Sequence, residues 1–378
     1  MPMHTKVDKM DKMDKMTKMT KMAKIEEILA TPPSELVAKL ESGELSILKL
    51  FGVSYFSAIK KLLKNPTKAE RIRFAAIFSW KLQLFIMDWL VGPMCRFLLW
   101  CVLVGGNGGN GNNGNNKSTA DETYWQAKRQ KAVRLGHFLF PDKIQGTITT
   151  ADKQGLIVGF NHPTLHEILS LITWSLENFP TKRNNFPTNL PWYESVCTCA
   201  ENLRKIGICI APLITQGTFA KLEKIHSDEP ETVTAISKIA NILLNHYLTI
   251  ATEFDLNGDN TFSAPSGTRQ ATIFTSKASF DGENIKLLPV MSSLALKIAR
   301  ANKTNPPNSI FLPITVIPPK FWLKNIRGLR LLNSYNLIIG NGFSIDEVKS
   351  LGRKIDYAFL RRIADNAPER LAYPSGLT

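Results

Sequence analysis

The stretch Gly155–Leu176, GLIVGFNHPTLHEILSLITWSL, restricts the fold more than any other part of the chain. Leu156, Ile157, Val158 and Phe160 form an apolar run of the length of a buried strand. Asn161-His162-Pro163 ends it, because proline donates nothing to a ladder and restricts the residue before it. Leu165, Ile168, Leu169, Ile172 and Leu176 then recur at helical spacing. Strand, turn and helix in succession predict an α/β unit. They deliver a histidine at the C-terminal end of a strand, the edge where open α/β sheets bind ligands. Glu167 stands five residues beyond His162.

The remainder of the C-terminal two thirds continues this alternation. Asp121–Leu135 reads as a basic helix, Ile206–Ala211 as a strand and Val233–Leu248 as a helix. Thr261–Ala264 is strand-like and runs into Pro265-Ser266-Gly267-Thr268-Arg269. Glu283–Ala301 has helical spacing, Ser309–Ile317 and Tyr335–Ile339 that of strands, and Ser344–Ala364 that of a helix opened by the capping-box pair Ser344 and Glu347. The expected architecture is a single α/β domain over 121–378. Its mixed, largely parallel sheet is flanked by helices.

Upstream the composition changes. Residues 1–24 carry lysine at every third position from Lys6, a period that drifts around a helix and leaves no apolar face, so a low-complexity tail is expected. Residues 25–104 read as all-helical, with Thr31-Pro32-Pro33-Ser34 as a stop and restart signal. Their last third, Phe74–Val104, is strongly apolar but is interrupted by Lys81, Asp88 and Arg96 and split by Gly92-Pro93. No uncharged run reaches the ~18 residues of a membrane span. A buried bundle, an interfacial or re-entrant membrane element and a true span all remain open. Residues 105–120, beginning GGNGGNGNNGNN, read as a linker, since they offer no apolar area to bury.

A net charge of +15 favours a polyanionic partner: nucleic acid, an anionic membrane or phosphorylated substrates. Nucleic acid is disfavoured, because the basic residues are dispersed and form no stripe interleaved with aromatics. Cys197 and Cys199 are too close for a zinc knuckle and no C-x-x-C occurs, which suits a reducing compartment. No apolar core of a secretory signal is visible at the N-terminus. The expected location is the cytoplasm, peripheral to a membrane.

The candidate chemistry centres on His162. An imidazole accepts a hydroxyl proton near neutral pH, and a carboxylate beside it stabilises the resulting imidazolium. On one continuous helix His162 and Glu167 would lie roughly 140° apart, so they meet only if His162 sits in the turn. Thr164 to Glu167 is also a capping box, so Glu167 has a purely structural alternative. His162 and His166 have metal-ligand spacing, but no third ligand follows nearby. Pro265–Arg269 has the form of a phosphate-gripping turn, in which glycine admits the ligand to the backbone and arginine offers a fork. It is equally an ordinary turn.

Together the two stretches resemble the glycerolipid acyltransferase family. Asn161-His162-Pro163-Thr164-Leu165-His166-Glu167 is similar to its N-H-x-x-x-x-D block. Phe262–Arg269 is similar to its F-P-E-G-T-R block, and closer still to the A-P-S-G-G-R of the soluble plastid-type glycerol-3-phosphate acyltransferases. Ile310–Val316, with Pro313, matches the strand whose proline helps form the acyl-donor site. Phe280-Asp281 and Gly340–Ser344 also resemble the plastid type. The resemblance covers roughly residues 121–365.

It implies transfer of a fatty acyl group from acyl-CoA or acyl carrier protein to the hydroxyl of glycerol-3-phosphate or its 1-acyl form, lysophosphatidate, without metal or cofactor. His162 would be the base, oriented by Glu167. Gly267, Thr268 and Arg269, with Arg204 and Lys205, would hold the phosphate. An anionic membrane is an expected peripheral partner. Three departures stand out: Glu167 replaces aspartate, Ala211-Pro212 replaces the second block's arginine, and Ala271 replaces a further arginine. They keep a rival reading open, a non-catalytic, membrane-peripheral lipid-binding relative on the same scaffold.

Overall fold

The computed structural model describes residues 19–53, 55–64, 66–103, 117–139, 143–148, 154–161, 167–264, 309–317 and 336–366. The expected helix Glu283–Ala301 lies outside them, as do Phe280-Asp281 and most of the tail. The described chain divides into two compact units, and the division does not follow the Gly/Asn linker. One unit takes the residues up to Pro93 together with Asn189–Thr198 and Pro212–His246; the other takes Met94–Thr188, Cys199–Ala211 and the residues from Tyr247 on.

The first unit is helical. Its helices include 19–30, Pro33–Glu41, Tyr55–Lys64, the start of Lys68–Leu103, Leu190–Val196 and Gln216–Ile225. The expected tail is therefore ordered in its last part: Ile25 and Ile28 are buried, and their burial holds the turns that carry Lys21 and Lys24. Buried polar contacts bind segments far apart in sequence. Glu194 accepts from the Ser46 hydroxyl at 2.5 Å and from Leu48 N–H at 3.2 Å. Tyr193 donates to Glu41 at 2.9 Å, and His226 Nε2 lies 2.9 Å from the Phe51 carbonyl. Burial pushes the Glu194 carboxyl up, against the pull of these donors.

Gly92-Pro93 does not split the apolar helix. Helix runs from Lys68 to Leu103, long and apolar enough to cross a membrane by length and composition. It passes the proline through a π turn, Met87–Val91, in which Gly92 N–H reaches back to the Met87 carbonyl. The wider turn takes up the clash that a proline ring otherwise makes with the preceding turn.

The second unit carries the sheet. Its strands are β1 Lys143–Gln145, β2 Leu156–Phe160, β3 Asn184–Asn189, β4 Ile208–Leu213, β5 Asn260–Ser263, β6 Ile310–Ile317, β7 Asn336–Ile339 and β8 Phe343–Ser344. They lie in the order β1-β7-β6-β2-β5-β3-β4, with β8 on β6. The pairs β2–β5, β2–β6, β3–β5 and β1–β7 are parallel; β6 meets β7 and β8 antiparallel. The sheet is mixed and largely parallel, as the alternating pattern predicts.

β2 is wholly buried because both its faces are covered. Leu156, Val158 and Phe160 join Leu312, Ile314, Phe186, Phe262 and Trp174 in one core, where Phe186 and Phe262 stack at 4.3 Å. Helix Glu167–Asn178 closes that face, backed by helix Lys117–Leu139. A Cβ at Gly136 would overlap the Thr173 hydroxyl, so glycine sets how closely these two helices approach. On the other face, Phe359 packs on Phe311 and Phe343, and Thr315 donates to Ile363 O at 2.8 Å. The helical start at Lys117 shortens the expected linker by four residues. The expected helix Ser344–Ala364 keeps its capping box but breaks at Gly352–Lys354 into two.

Candidate active site

The parallel register decides which segments share an edge. Leu156 pairs with Asn260 and Ile310, and Gly159 pairs with Ser263 and Pro313. The chain therefore leaves β2 through Asn161 and β5 through Ala264 within one residue of the same level. Neighbouring strands lie about 4.8 Å apart, so Asn161 and Ala264, the last described residues after the two strands, stand side by side at the C-terminal edge.

Asn161 fixes this edge. β2 ends opposite Ile314, while β6 continues to Ile317. The Val316 groups that would face a longer β2 are met instead by the Asn161 side chain. Its amide donates to Val316 O at 2.8 Å, and its carbonyl accepts from Val316 N–H at 2.6 Å. Asn161 is 7% exposed. One buried amide thus extends the ladder beyond Phe160, the last residue of β2. The sequence reading passes over this role. Its signal is an asparagine closing an apolar strand immediately before His-Pro.

The remaining expected site residues fall into three groups. His162, His166, Gly267, Thr268 and Arg269 lie outside the described residues. Glu167 lies in helix Glu167–Asn178, and this helix follows β2 as expected. Pro313 is buried in β6, level with Gly159. Gly340 N–H donates to its carbonyl at 2.9 Å, and a Cβ at Gly340 would crowd the proline ring at 3.1 Å. Pro313 thus stands just below the C-terminal edge, on the flank of β2 opposite β5.

Arg204 and Lys205 do not belong with them. They end helix Ala200–Lys205, which precedes β4. The next turn, Gly207, accepts through its carbonyl from Asn184 N–H at 2.8 Å, at the start of β3. Asn184 pairs with Asn260, the start of β5. Both cations therefore sit at the N-terminal edge. A five-residue strand at about 3.3 Å per residue separates the edges by roughly 16 Å. Both side chains are exposed; Lys205 pairs with Glu201 at 2.9 Å and lies 5.5 Å over the Trp125 ring. They are withdrawn as phosphate ligands.

No protein-family model and no curated protein matches this chain. Among solved structures it is similar to the 1-acyl-sn-glycerophosphate (LPA) acyltransferase PlsC from Thermotoga maritima. The match has 12% identity and a TM-score of 0.36, and covers 76% of this chain and 97% of that one. So slight a likeness assigns no chemistry to this chain.

The N-terminal edge has its own polar structure. Asn260 accepts from Leu156 N–H at 3.3 Å and donates to Asn184 at 2.9 Å. Arg183 grips Asp259 through its backbone N–H and its guanidinium. Asp255 is 3% exposed, and among the described residues its carboxylate oxygens have no hydrogen-bond partner. Burial, opposed weakly by the nearby Ser309 hydroxyl, pushes its carboxyl up to about 6. These contacts tie strand starts together. At the C-terminal edge, by contrast, Asn161 and Ala264 stand side by side after β2 and β5.

Proposed function

We propose that this chain is an O-acyltransferase acting on a small phosphorylated polyol: glycerol-3-phosphate or its 1-acyl derivative. The observation that supports the reading is the pairing of β2 with β5, which brings Asn161 and Ala264, the residues directly before the His162 and Pro265–Arg269 stretches in sequence, to one edge. His162 takes the acceptor hydroxyl proton as the oxygen attacks the thioester carbonyl of acyl-CoA or acyl carrier protein. The tetrahedral adduct collapses and expels the thiolate, which receives the proton from the imidazolium. Glu167 stabilises that imidazolium, the role a carboxylate fills beside a catalytic histidine. Arg269 grips the phosphate as a fork, aided by Thr268 and by the backbone at Gly267. The acyl donor approaches from the β6 flank, over Pro313.

A second reading, a non-catalytic lipid-binding relative, is favoured by one observation. Arg204 and Lys205 lie at the far edge and leave the phosphate with fewer cations than the motifs suggest. Radiolabelled acyl-CoA and acyl carrier protein, each offered with glycerol-3-phosphate and with its 1-acyl form, separate the two readings. Acyl transfer to one acceptor supports the enzyme. Binding without transfer in all four mixtures overturns it in favour of the second reading.

A further inference from the structure

The face of the sheet that holds Phe311 carries a buried polar stripe beside its apolar part. The register sets its side chains in rows. Phe311, Ile157, Thr261 and Asn185 are level and point to the same face. Two residues earlier on each strand, Ser309, Gly155 and Asp259 form a row at the strand starts. The last turns of helix Pro230–Leu256 lie along this face. Asp255 meets it at Gly155, where a Cβ would touch the carboxylate at 2.9 Å. Two turns earlier Tyr247 donates to Phe262 O at 3.1 Å. Ala251 falls between them at helical spacing, on the same side, and is fully buried.

Six polar atoms of this stripe are buried and, among the described residues, have no hydrogen-bond partner. They are both carboxylate oxygens of Asp255, the hydroxyls of Ser309 and Thr261, and the oxygen and nitrogen of the Asn185 amide. Asp255 and Ser309 are 3% and 2% exposed, Thr261 and Asn185 0%. A native fold leaves few such groups, because each one kept dry forfeits the hydrogen bonds it made in water. Here they collect on two adjacent rows under one helix. Thr261 and Asn185 are directly opposed, so their three atoms border one space, and a buried water usually makes about three hydrogen bonds. The residues around that space are small: Gly155 has no side chain and Ala251 only a methyl. Two residues of strand separate the rows by about 7 Å. A water with a bond of about 2.8 Å on either side spans most of that distance. A cation is disfavoured, since Asp255 supplies the stripe's one unpaired carboxylate and the neighbouring Asp259 is already held by Arg183. We propose that ordered water molecules lie in a file between the last turns of helix Pro230–Leu256 and the sheet, held by Asp255, Ser309, Thr261 and Asn185. The inference rests on burial and register and stands whether or not the chain transfers acyl groups.

Thermal melts of the full chain with Thr261→Val test it, because valine keeps the shape and removes only the hydroxyl. A hydroxyl buried dry is a burden, so its loss would raise the midpoint. A hydroxyl that holds a water leaves that water short of a partner, so the midpoint should fall by about 2–4 °C. Ser309→Ala, at the other row, should lower it as well. A crystal structure of the unaltered full chain supplies a readout that needs no variant: water should lie about 2.7–3.2 Å from the Thr261 hydroxyl and the Asn185 amide. Three results overturn the proposal. They are a midpoint raised by Thr261→Val, no water beside Thr261 and Asn185, or a wild-type midpoint that rises with calcium or potassium at constant ionic strength while that of Asp255→Asn does not. The last would make a cation the occupant.

Discussion

Removing the Asn161 amide should both loosen the sheet and disable the site. Asn161→Ala deletes two hydrogen bonds, of 2.8 and 2.6 Å, from a position 7% exposed. It leaves the N–H and C=O of Val316 facing a gap at the end of β2. A buried backbone group deprived of its partner costs about 1–3 kcal/mol. The two together should cost about 2–4 kcal/mol once some water enters the gap. At about 2–4 °C of midpoint per kcal/mol for domains somewhat smaller than this chain, the loss amounts to roughly 5–10 °C. Urea and thermal melts measure it. The same cut loosens the chain at Asn161, directly before His162 in sequence, so the proposed acyl transfer should fall by at least about tenfold at temperatures where the variant is folded. A variant melting within a degree of the wild type at unchanged rate would refute the reasoning, for Asn161 would then be no ladder extension.

Three further outcomes follow from the packing. Asp255 carries a carboxyl pushed up to about 6, against about 3.9 in the unfolded chain. The folded state thus holds this proton more tightly; the stability it contributes is fully present below pH 4 and is lost as pH rises through 6, about 2–3 kcal/mol by pH 8. Asp255→Asn should therefore melt higher than the wild type at pH 8 and alike at pH 4; an equal difference at both would reject the assignment. Gly136→Val should lower the midpoint by several degrees by driving a side chain into Thr173, and an unshifted melt would show that the two helices separate freely. A chain beginning at Lys117 would keep Tyr193, Glu194 and His226 but lose Glu41, Ser46 and Phe51, which they contact. It should bind a hydrophobic dye and lose its cooperative melt, whereas a cooperative melt at the intact midpoint would show that the N-terminal helices are dispensable.

How much of this was legible in the sequence depends on which physics left a pattern there. β2, β5, β6 and β7 were visible as apolar runs, and the Ser344–Glu347 capping box as a spacing. β3 was not, since Asn184-Asn185-Phe186-Pro187 breaks the apolar pattern; Asn184 is buried among partners, accepting from the Asn260 amide and donating to the Gly207 carbonyl. The division into units was obscured in the same way. Glu194, Tyr193 and His226 look like surface polar residues until the buried partners upstream are known. Gly92-Pro93 misled because a π turn lets a helix continue where propensity alone predicts a break. Arg204 and Lys205 misled for a simpler reason. Residues that precede a strand of a parallel sheet lie at the edge away from residues that follow one, and both precede β4. That β2 ends at the C-terminal edge before Asn161 was foreseen from chain order alone; the part the asparagine side chain plays there required the register of β2 against β6.

The central claim is that His162 removes the proton from an acceptor hydroxyl during acyl transfer. Single-turnover transfer from the preferred thioester to the preferred acceptor, compared between the wild type and His162→Ala across pH, tests it most directly. The account predicts that the wild-type rate rises with pH through the imidazole range, that the variant is slower by about 10²–10⁴-fold, and that this rise is absent from the variant. A variant that keeps more than about half of the wild-type rate, with the same pH profile, would contradict it.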